Sequence, residues 1–495
     1  MLLSILVFLP LLGAALMFAV PDRHARKTAA ITSGSALALG AIVALLFDWR
    51  TSGLQFEVQA PWIPALGASY HLGLDGLSLP LVLLSLLLTF LSLLYSLPEK
   101  RRRREFFALF LVMETGLLGV FTTVDLLLFY FFFEVSLVPM YFIIGFWGHE
   151  RRVEAALKFF LYTRIGSLAM LLSILALYLG MEPRTFDLPA IIAAHPVSGS
   201  GVGASLVLLG FIVGFGIKLP IVPLHSWLPD AHTEAPTAGS VMLAGMLLKL
   251  GGYGLLRIAL PAVPDAFSAY ALPLAALAVV SAIYGTAVAM AQADLKRLVA
   301  FSSINHMGYV MLGVAAAAAA WGSAADRTAA ATGAALQLVA HGLVTGMLFF
   351  LVGMLEQRTG TREIKALHGV WGALPLLGSF FAFAIFASFG LPSLAHFPAE
   401  LQIVLGTFGV SVPAAVGMLL GVLLTTAMFL WTLQRILMGE PPKQSMLLPG
   451  PDGREMATML PLIALIIVIG LLPGPLVRII QAALASGPFA FLGRG

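Results

Sequence analysis

Apolar residues in this chain gather into long unbroken runs, not into the alternating or one-faced patterns of half-buried strands and surface helices. Fourteen runs are long enough to cross a bilayer, at 2–20, 28–48, 76–97, 106–122, 125–147, 155–180, 204–228, 237–260, 268–291, 297–318, 330–354, 372–410, 412–438 and 457–480. They predict an all-α polytopic membrane protein with about 14 transmembrane helices. Two spans are irregular. The seventh is interrupted at Pro220 and Pro223, and the twelfth, too long for one straight crossing, around Gly390, Pro392 and Pro398. The opening run, MLLSILVFLPLLGAALMFAV, lacks a basic leader and is long enough to span, so it reads as the first transmembrane helix and not as a signal peptide.

Composition agrees. Of 495 residues 60% are hydrophobic and 11% charged, and the mean hydropathy is +0.98. A soluble protein of this size has too little interior to hide that much apolar surface. The excess of four basic over acidic residues reports orientation, not nucleic acid. The connections at 21–27, 99–104, 149–152, 295–297, 356–365 and 435–454 hold 18 Lys and Arg. The opposite side, with both termini, holds Arg50, Arg184, Arg327, Arg478 and Arg494. This asymmetry predicts cytoplasmic basic loops, termini outside and an even number of helices. Basic runs such as Arg101 to Arg104 are topological determinants that also suit contact with anionic membrane lipid.

The two broken spans resemble each other. Leu391-Pro392 lies 172 residues after Leu219-Pro220, and the same offset carries Glu134 onto His306. Spans 4–8 and 9–13 then form two five-helix units, and an odd number of helices makes them inverted repeats, an arrangement whose sites lie near the midplane. The implied organisation is 1–104 for helices 1–3, 105–260 for the first repeat, 261–438 for the second and 439–495 for helix 14.

Ionisable residues inside the spans are the candidates for chemistry. Each costs ~2.5–3.5 kcal/mol to insert at a helix centre, so four cost on the order of 10 kcal/mol before pairing. Glu134 follows eight apolar residues, and Lys218 sits beside the first helix break. Facing each other, they form a bistable pair in which a third charge decides where the proton rests. Lys249, just before Gly251, Gly252 and Gly254, reads either as a lysine anchored at a close helix interface or as the next proton site. His306 and His341 suit a relay, although a lone membrane histidine is often only hydrogen-bonded across helices. Glu400 follows the second break, with His396 one turn earlier. It reads as a midplane proton carrier or as a carboxylate exposed at the mouth of the break. Glu114 reads as a buried carboxylate that takes a proton or pairs locally. Lys158 and Arg257 lie near enough to span ends to snorkel.

Other chemistries are excluded or disfavoured. The chain has no cysteine, which rules out thiolate-held iron–sulfur clusters, c-type haem and disulfides on it. It has no glycine-rich nucleotide fingerprint placed between a strand and a helix. Any redox chemistry therefore belongs to partner chains. The loop HSWLPDAHTEAP offers His225, Asp230, His232 and Glu234, but its histidine spacing of seven fits no compact zinc motif. Asp230 and Glu234 are expected as caps at the next helix.

Three segments carry a resemblance: FFFEVSLVPMYFIIGFWG, GIKLPIVPLHSWLPDAHTEAPTAGSVMLAGMLLKLGGYGLLR and LKRLVAFSSINHMGYV. They closely resemble the M-type (mitochondrial chain 4) antiporter-like, proton-translocating membrane subunits of the proton-pumping NADH:quinone oxidoreductase, respiratory complex I. The resemblance runs nearly end to end. It implies fourteen helices in two inverted repeats with helices 7 and 12 broken. It implies a proton-translocating subunit of a translocase, without redox chemistry of its own, beside L-type and N-type antiporter-like partners. NADH, FMN, iron–sulfur clusters and quinone are then expected on partner subunits, and no cofactor or metal on this chain. The expected location is a bacterial inner membrane or an equivalent energy-transducing membrane.

Residue by residue, the resemblance makes Glu134 and Lys218 the ion pair and Lys249 the central lysine. His306 and His341 become the connecting histidines and Glu400 the twelfth-helix glutamate, where L-type and many cation/proton antiporter subunits carry lysine. Alternatives of the same fold are a cation/proton antiporter subunit or a hydrogenase-linked complex, and a non-conducting scaffold is the alternative of a different kind. Two departures stand out. GLPSLAHFPAE replaces the small-residue GLPGLSGF pattern, which introduces His396, and Arg164 stands where an apolar residue is usual, either paired with a carboxylate such as Glu114 or marking a divergent branch.

Overall fold

A computed structural model describes residues 1–441, 448–485 and 492. Lys443 and Arg494, both counted in the charge asymmetry, lie outside the described residues, as does the end of the 439–495 unit. Eleven helices are long and apolar enough to cross a membrane, and the shorter apolar helices Leu79–Tyr95, Val202–Lys218 and Pro375–Ser388 fall on the three remaining spans. All fourteen apolar runs are therefore helical.

The helices sort into a centre and a rim. Spans 8 (Thr237–Ala262), 10 (Leu295–Ala318) and 11 (Ala324–Thr359) are buried along their whole apolar windows. The outer spans present large apolar side chains outward, among them Ile165, Leu172 and Leu423, as a lipid or subunit boundary requires. Polar groups on the three central helices are thus shielded from lipid by protein, the condition under which intramembrane charge is tolerated. Span 11 has 36 residues, longer than its 330–354 apolar run. At about 54 Å it exceeds the hydrocarbon core and extends beyond it.

Helix starts are set by short polar side chains. Asp125 accepts from the amides of Leu127 and Leu128 at the head of span 5 (Leu126–Trp147). Asp294 and Ser323 cap spans 10 and 11, and Asp452 with Glu455 closes a capping box on Gly453–Leu471.

Three features differ from the sequence expectation. An antiparallel hairpin, β1 (Gln55–Ile63) and β2 (Ala68–Leu74), fills the connection between spans 2 and 3. A short helix, Leu188–Ala194, lies between spans 6 and 7. The last apolar run is not one helix, because the helix Gly453–Leu471 ends ahead of Pro473 and a second helix begins at Gly474.

The hairpin and span 8 are joined by charge. Arg257 does not snorkel: it is buried and donates from Nη1 to Asp75 Oδ2. His71, on β2, holds Glu57 and Asp187 at 2.7 Å from its two ring nitrogens.

Candidate functional site

The first break follows Lys218, the last residue of the helix Val202–Lys218. Pro220 and Pro223 keep the next residues out of the ladder, and the freed groups find other partners. Trp227 Nε1 donates to Ile217 O at 2.9 Å, and the amide of Val222 donates to Ser281 Oγ at 3.0 Å. The helix resumes at Trp227–Glu234.

Lys218 is buried, and its ammonium makes no hydrogen bond among the described residues. It lies 5.3 Å from the ring centre of Phe133 and 5.4 Å from that of Phe159, a cation–π setting. Its expected partner, Glu134, is engaged elsewhere. Glu134 Oε2 accepts from Arg164 Nη1 at 2.6 Å, while Glu134 Oε1 is buried with no hydrogen-bond partner among the described residues. Arg164 thus pairs with Glu134 and not with Glu114, whose two carboxylate oxygens meet no hydrogen-bond partner among the described residues. Its side chain is 43% exposed, so the charge bound to Glu134 reaches the rim of the subunit.

Lys249 sits in span 8 directly after a π-helical turn, Leu243–Leu247. Such a wide turn loosens a carbonyl from the regular ladder. Ala244, within it, accepts from Lys249 Nζ at 2.5 Å. The same ammonium lies 2.7 Å from His341 Nδ1 on span 11. The approach depends on Gly342, where a Cβ would come 2.9 Å from the Gly245 carbonyl.

From His341 the polar groups continue. The His341 and His306 rings are 5.4 Å apart, and His306 Nδ1 lies 3.6 Å from Glu400 Oε1. Gln337 stands beside His306, its Nε2 3.4 Å from Nδ1. Lys249, His341, His306 and Glu400 therefore form one buried string crossing from span 8 to the second half of span 12 (His396–Val410). The second break, between Ser388 and His396, brings Gly390 against Glu400. Gly390 has φ +74°, and a Cβ there would meet Glu400 Oε2 at 2.5 Å. Lys218 and Glu134 stand apart from this string at the first break.

Several residues have contacts that the sequence did not assign to them. His396 stacks on His306 with ring centres 4.6 Å apart. His232 is fully buried, stacks on Phe349 at 4.6 Å and has no hydrogen-bond partner for either ring nitrogen among the described residues. Lys296 is no solvated loop charge: it is buried and donates to Ala235 O at 2.5 Å. Asp230 is no simple cap, since it accepts from Lys158 Nζ at 2.6 Å and from Arg297 Nη1 at 2.9 Å. Lys158 is held by that pair instead of snorkelling. Glu234 accepts from the amide of Arg151, and the helix Thr237–Met242 that opens span 8 has no side-chain cap. The available signal was the density of His, Asp and Glu around the first break, which spacing alone cannot turn into contacts. Among the described residues the loop histidines gather no metal-like cluster, and the one such group is His306, His396 and Glu400.

Comparison with known proteins gives a consistent picture. Residues 123–428 match the family model described as NADH:quinone oxidoreductase/Mrp antiporter, TM. The chain is 38% identical to NADH-quinone oxidoreductase subunit M of Rhodobacter capsulatus, over 98% of this chain and 96% of that one. A chain of respiratory complex I from Thermus thermophilus superposes with TM-score 0.89 at 32% identity, covering 99% of each. A chain of the Mrp complex from Dietzia sp. DQ12-45-1b superposes with TM-score 0.83 at 22% identity, covering 100% of this chain and 99% of that one.

Proposed function

On the premise that this chain belongs to the antiporter-like membrane-arm subunits of NADH:quinone oxidoreductase, we propose that it carries protons from the cytoplasm to the outside through Glu134, Lys218, Lys249, His341, His306 and Glu400. The observation that carries the reading is the buried string from Lys249 Nζ through His341 and His306 to Glu400, with its 2.7 Å and 3.6 Å contacts. Every member binds and releases a proton, and protein surrounds all of them.

At the first break, Glu134 and Lys218 act as the switch. Among the described residues Lys218 has no hydrogen-bond partner, and Glu134 is held by Arg164. Turning the carboxylate toward Lys218 favours the protonated amine, and turning it back toward Arg164 favours release of that proton toward Lys249. Against 100 mV each proton costs ~2.3 kcal/mol, within reach of moving one charge in a poorly screened interior. The driving reaction belongs to partner subunits, which hold NADH, FMN, iron–sulfur clusters and quinone. This chain's lack of cysteine supports that division. L-type and N-type subunits are its neighbours in the membrane arm of a bacterial inner membrane, and the two broken helices 7 and 12 belong to inverted repeats spanning helices 4–8 and 9–13.

The 38% identity to an M-type relative favours this reading over a cation/proton antiporter. The Mrp likeness at 22% identity speaks for fold alone.

Replacing Lys249 by Ala is expected to lower NADH-driven proton uptake by inverted vesicles at least tenfold, roughly 1.4 kcal/mol or more on the barrier, with the complex still assembled. Wild-type uptake in that variant would refute the route and favour a scaffold.

A further inference from the structure

We infer that His306, His396 and Glu400 form a binding site for a borderline-soft divalent cation, with Zn²⁺ the best match, at the second helix break. One ligand atom from each residue lies within 4.8 Å of the others, and all three residues are buried. His396 and Glu400 are four residues apart on the helix His396–Val410, so they share a face. His306 reaches the same point from span 10.

The hydrogen bonding of His396 makes it a ligand in waiting. Its Nδ1 lies 3.2 Å from the Ser388 carbonyl, an acceptor only, so Nδ1 carries the ring proton. The lone pair is then on Nε2, which is buried and has no partner among the described residues. A histidine whose second nitrogen donates to a backbone carbonyl is how metal-binding imidazoles are oriented. Two histidines and a glutamate are also a known three-ligand set for zinc with one position left open. Gln337, whose Oε1 is buried with no hydrogen-bond partner among the described residues, stands beside His306.

Geometry sets the demand on the site. Zn–N and Zn–O bonds of about 2.0–2.2 Å require donors about 3.4 Å apart, so the side chains must close in by up to about 1.4 Å. Rotation about the side-chain bonds of His306 and Glu400 is the movement that binding requires. The site lies close to the rim of the subunit, since Leu391, Pro392 and Ser393 at the break are exposed and Glu400 retains 7% exposure. Bound there, the ion occupies the lone pairs of His306 and Glu400 and arrests proton movement between them. That arrest rests on the proton route proposed above, whereas the binding does not.

The test uses the intact purified complex, stripped with chelator and then loaded with Zn²⁺ alone. Wild type is expected to retain one more zinc per complex than His396→Gln or Glu400→Gln, with a first shell of N and O only at the zinc X-ray absorption edge. In His396→Cys the zinc is expected to gain a sulfur neighbour at about 2.3 Å. Equal zinc content in all variants, or no sulfur in the cysteine variant, overturns the site and leaves only adventitious surface zinc. Zinc inhibition of NADH-driven proton uptake is expected at least tenfold weaker in His396→Gln. Zinc held by all these criteria with proton uptake unchanged leaves the site standing and refutes the route through His306 and Glu400.

Discussion

Arg164 shows how one side chain sets the state of a pair. Glu134 has two cationic neighbours, and the structure gives its carboxylate to the more exposed one, at 2.6 Å. A partly exposed ion pair is worth about 1 kcal/mol or less after screening, which suits a contact that must open and close in each cycle. Removing it with Arg164→Ala leaves Glu134 free to settle on Lys218. Proton uptake in inverted vesicles is then expected to fall about fivefold, the rate equivalent of about 1 kcal/mol. Arg164→Lys is expected to recover most of it, because an ammonium can also hold a carboxylate. Uptake unchanged in the alanine variant would count against a switching role for this pair. The sequence makes both members visible as charges inside apolar runs. It does not say which cation Glu134 meets, since that depends on the rotation of spans 5 and 6 about their axes. His396 is the same case at the second break: its position is legible, but its stacking on His306 follows from how spans 10 and 12 cross.

At the scale of elements, the helices were legible and the hairpin was not. A bilayer demands about 20 apolar residues per crossing, so each span announces itself by length. Strand β1 is largely exposed and interrupted by Pro61, and β2, though mostly buried, has only seven residues, so neither stands out from a loop in composition. What fixes them is His71. Burial pulls its pKa down, but the carboxylates of Asp187 and Glu57 outweigh this and raise it above the ordinary 6.5. A raised folded pKa means that the protonated form is stabilised by folding. The contribution is therefore complete below pH 6.5 and is lost as pH rises through the folded value. Amide exchange in residues 55–74 is expected to speed up over that upward range in the purified complex. His71→Gln is expected to remove the pH dependence and leave exchange fast throughout. A profile that is flat in wild type would exclude His71 as the clamp.

For the whole molecule the question is which way the string points. The basic loops and the hairpin end lie on opposite sides in the predicted topology, and the structure shows that the basic loops are paired as well as charged. Arg103 meets Asp22 at 3.1 Å, Arg362 meets Asp294 at 3.0 Å, and Arg358 holds Glu455 at 2.6 Å. Among the described residues, six of the basic residues counted for that side belong to such contacts or to others just as close: Arg103, Lys296, Arg297, Arg358, Arg362 and Arg454. These locking contacts do not weaken the orientation argument, because insertion reads the charge of loops before tertiary pairs exist. The chain's lack of cysteine gives a direct check. Thr51→Cys places a single thiol of this chain on the exposed approach to the hairpin, and Lys100→Cys places one in the basic 99–104 loop, with both positions at the surface. A membrane-impermeant maleimide is expected to label the first in intact cells stripped of their outer barrier and the second only in inverted vesicles. The reverse pattern would turn the molecule over. The proton would then have to enter at the side now assigned to release, and the roles given to the Lys218 and Glu400 ends of the route would exchange.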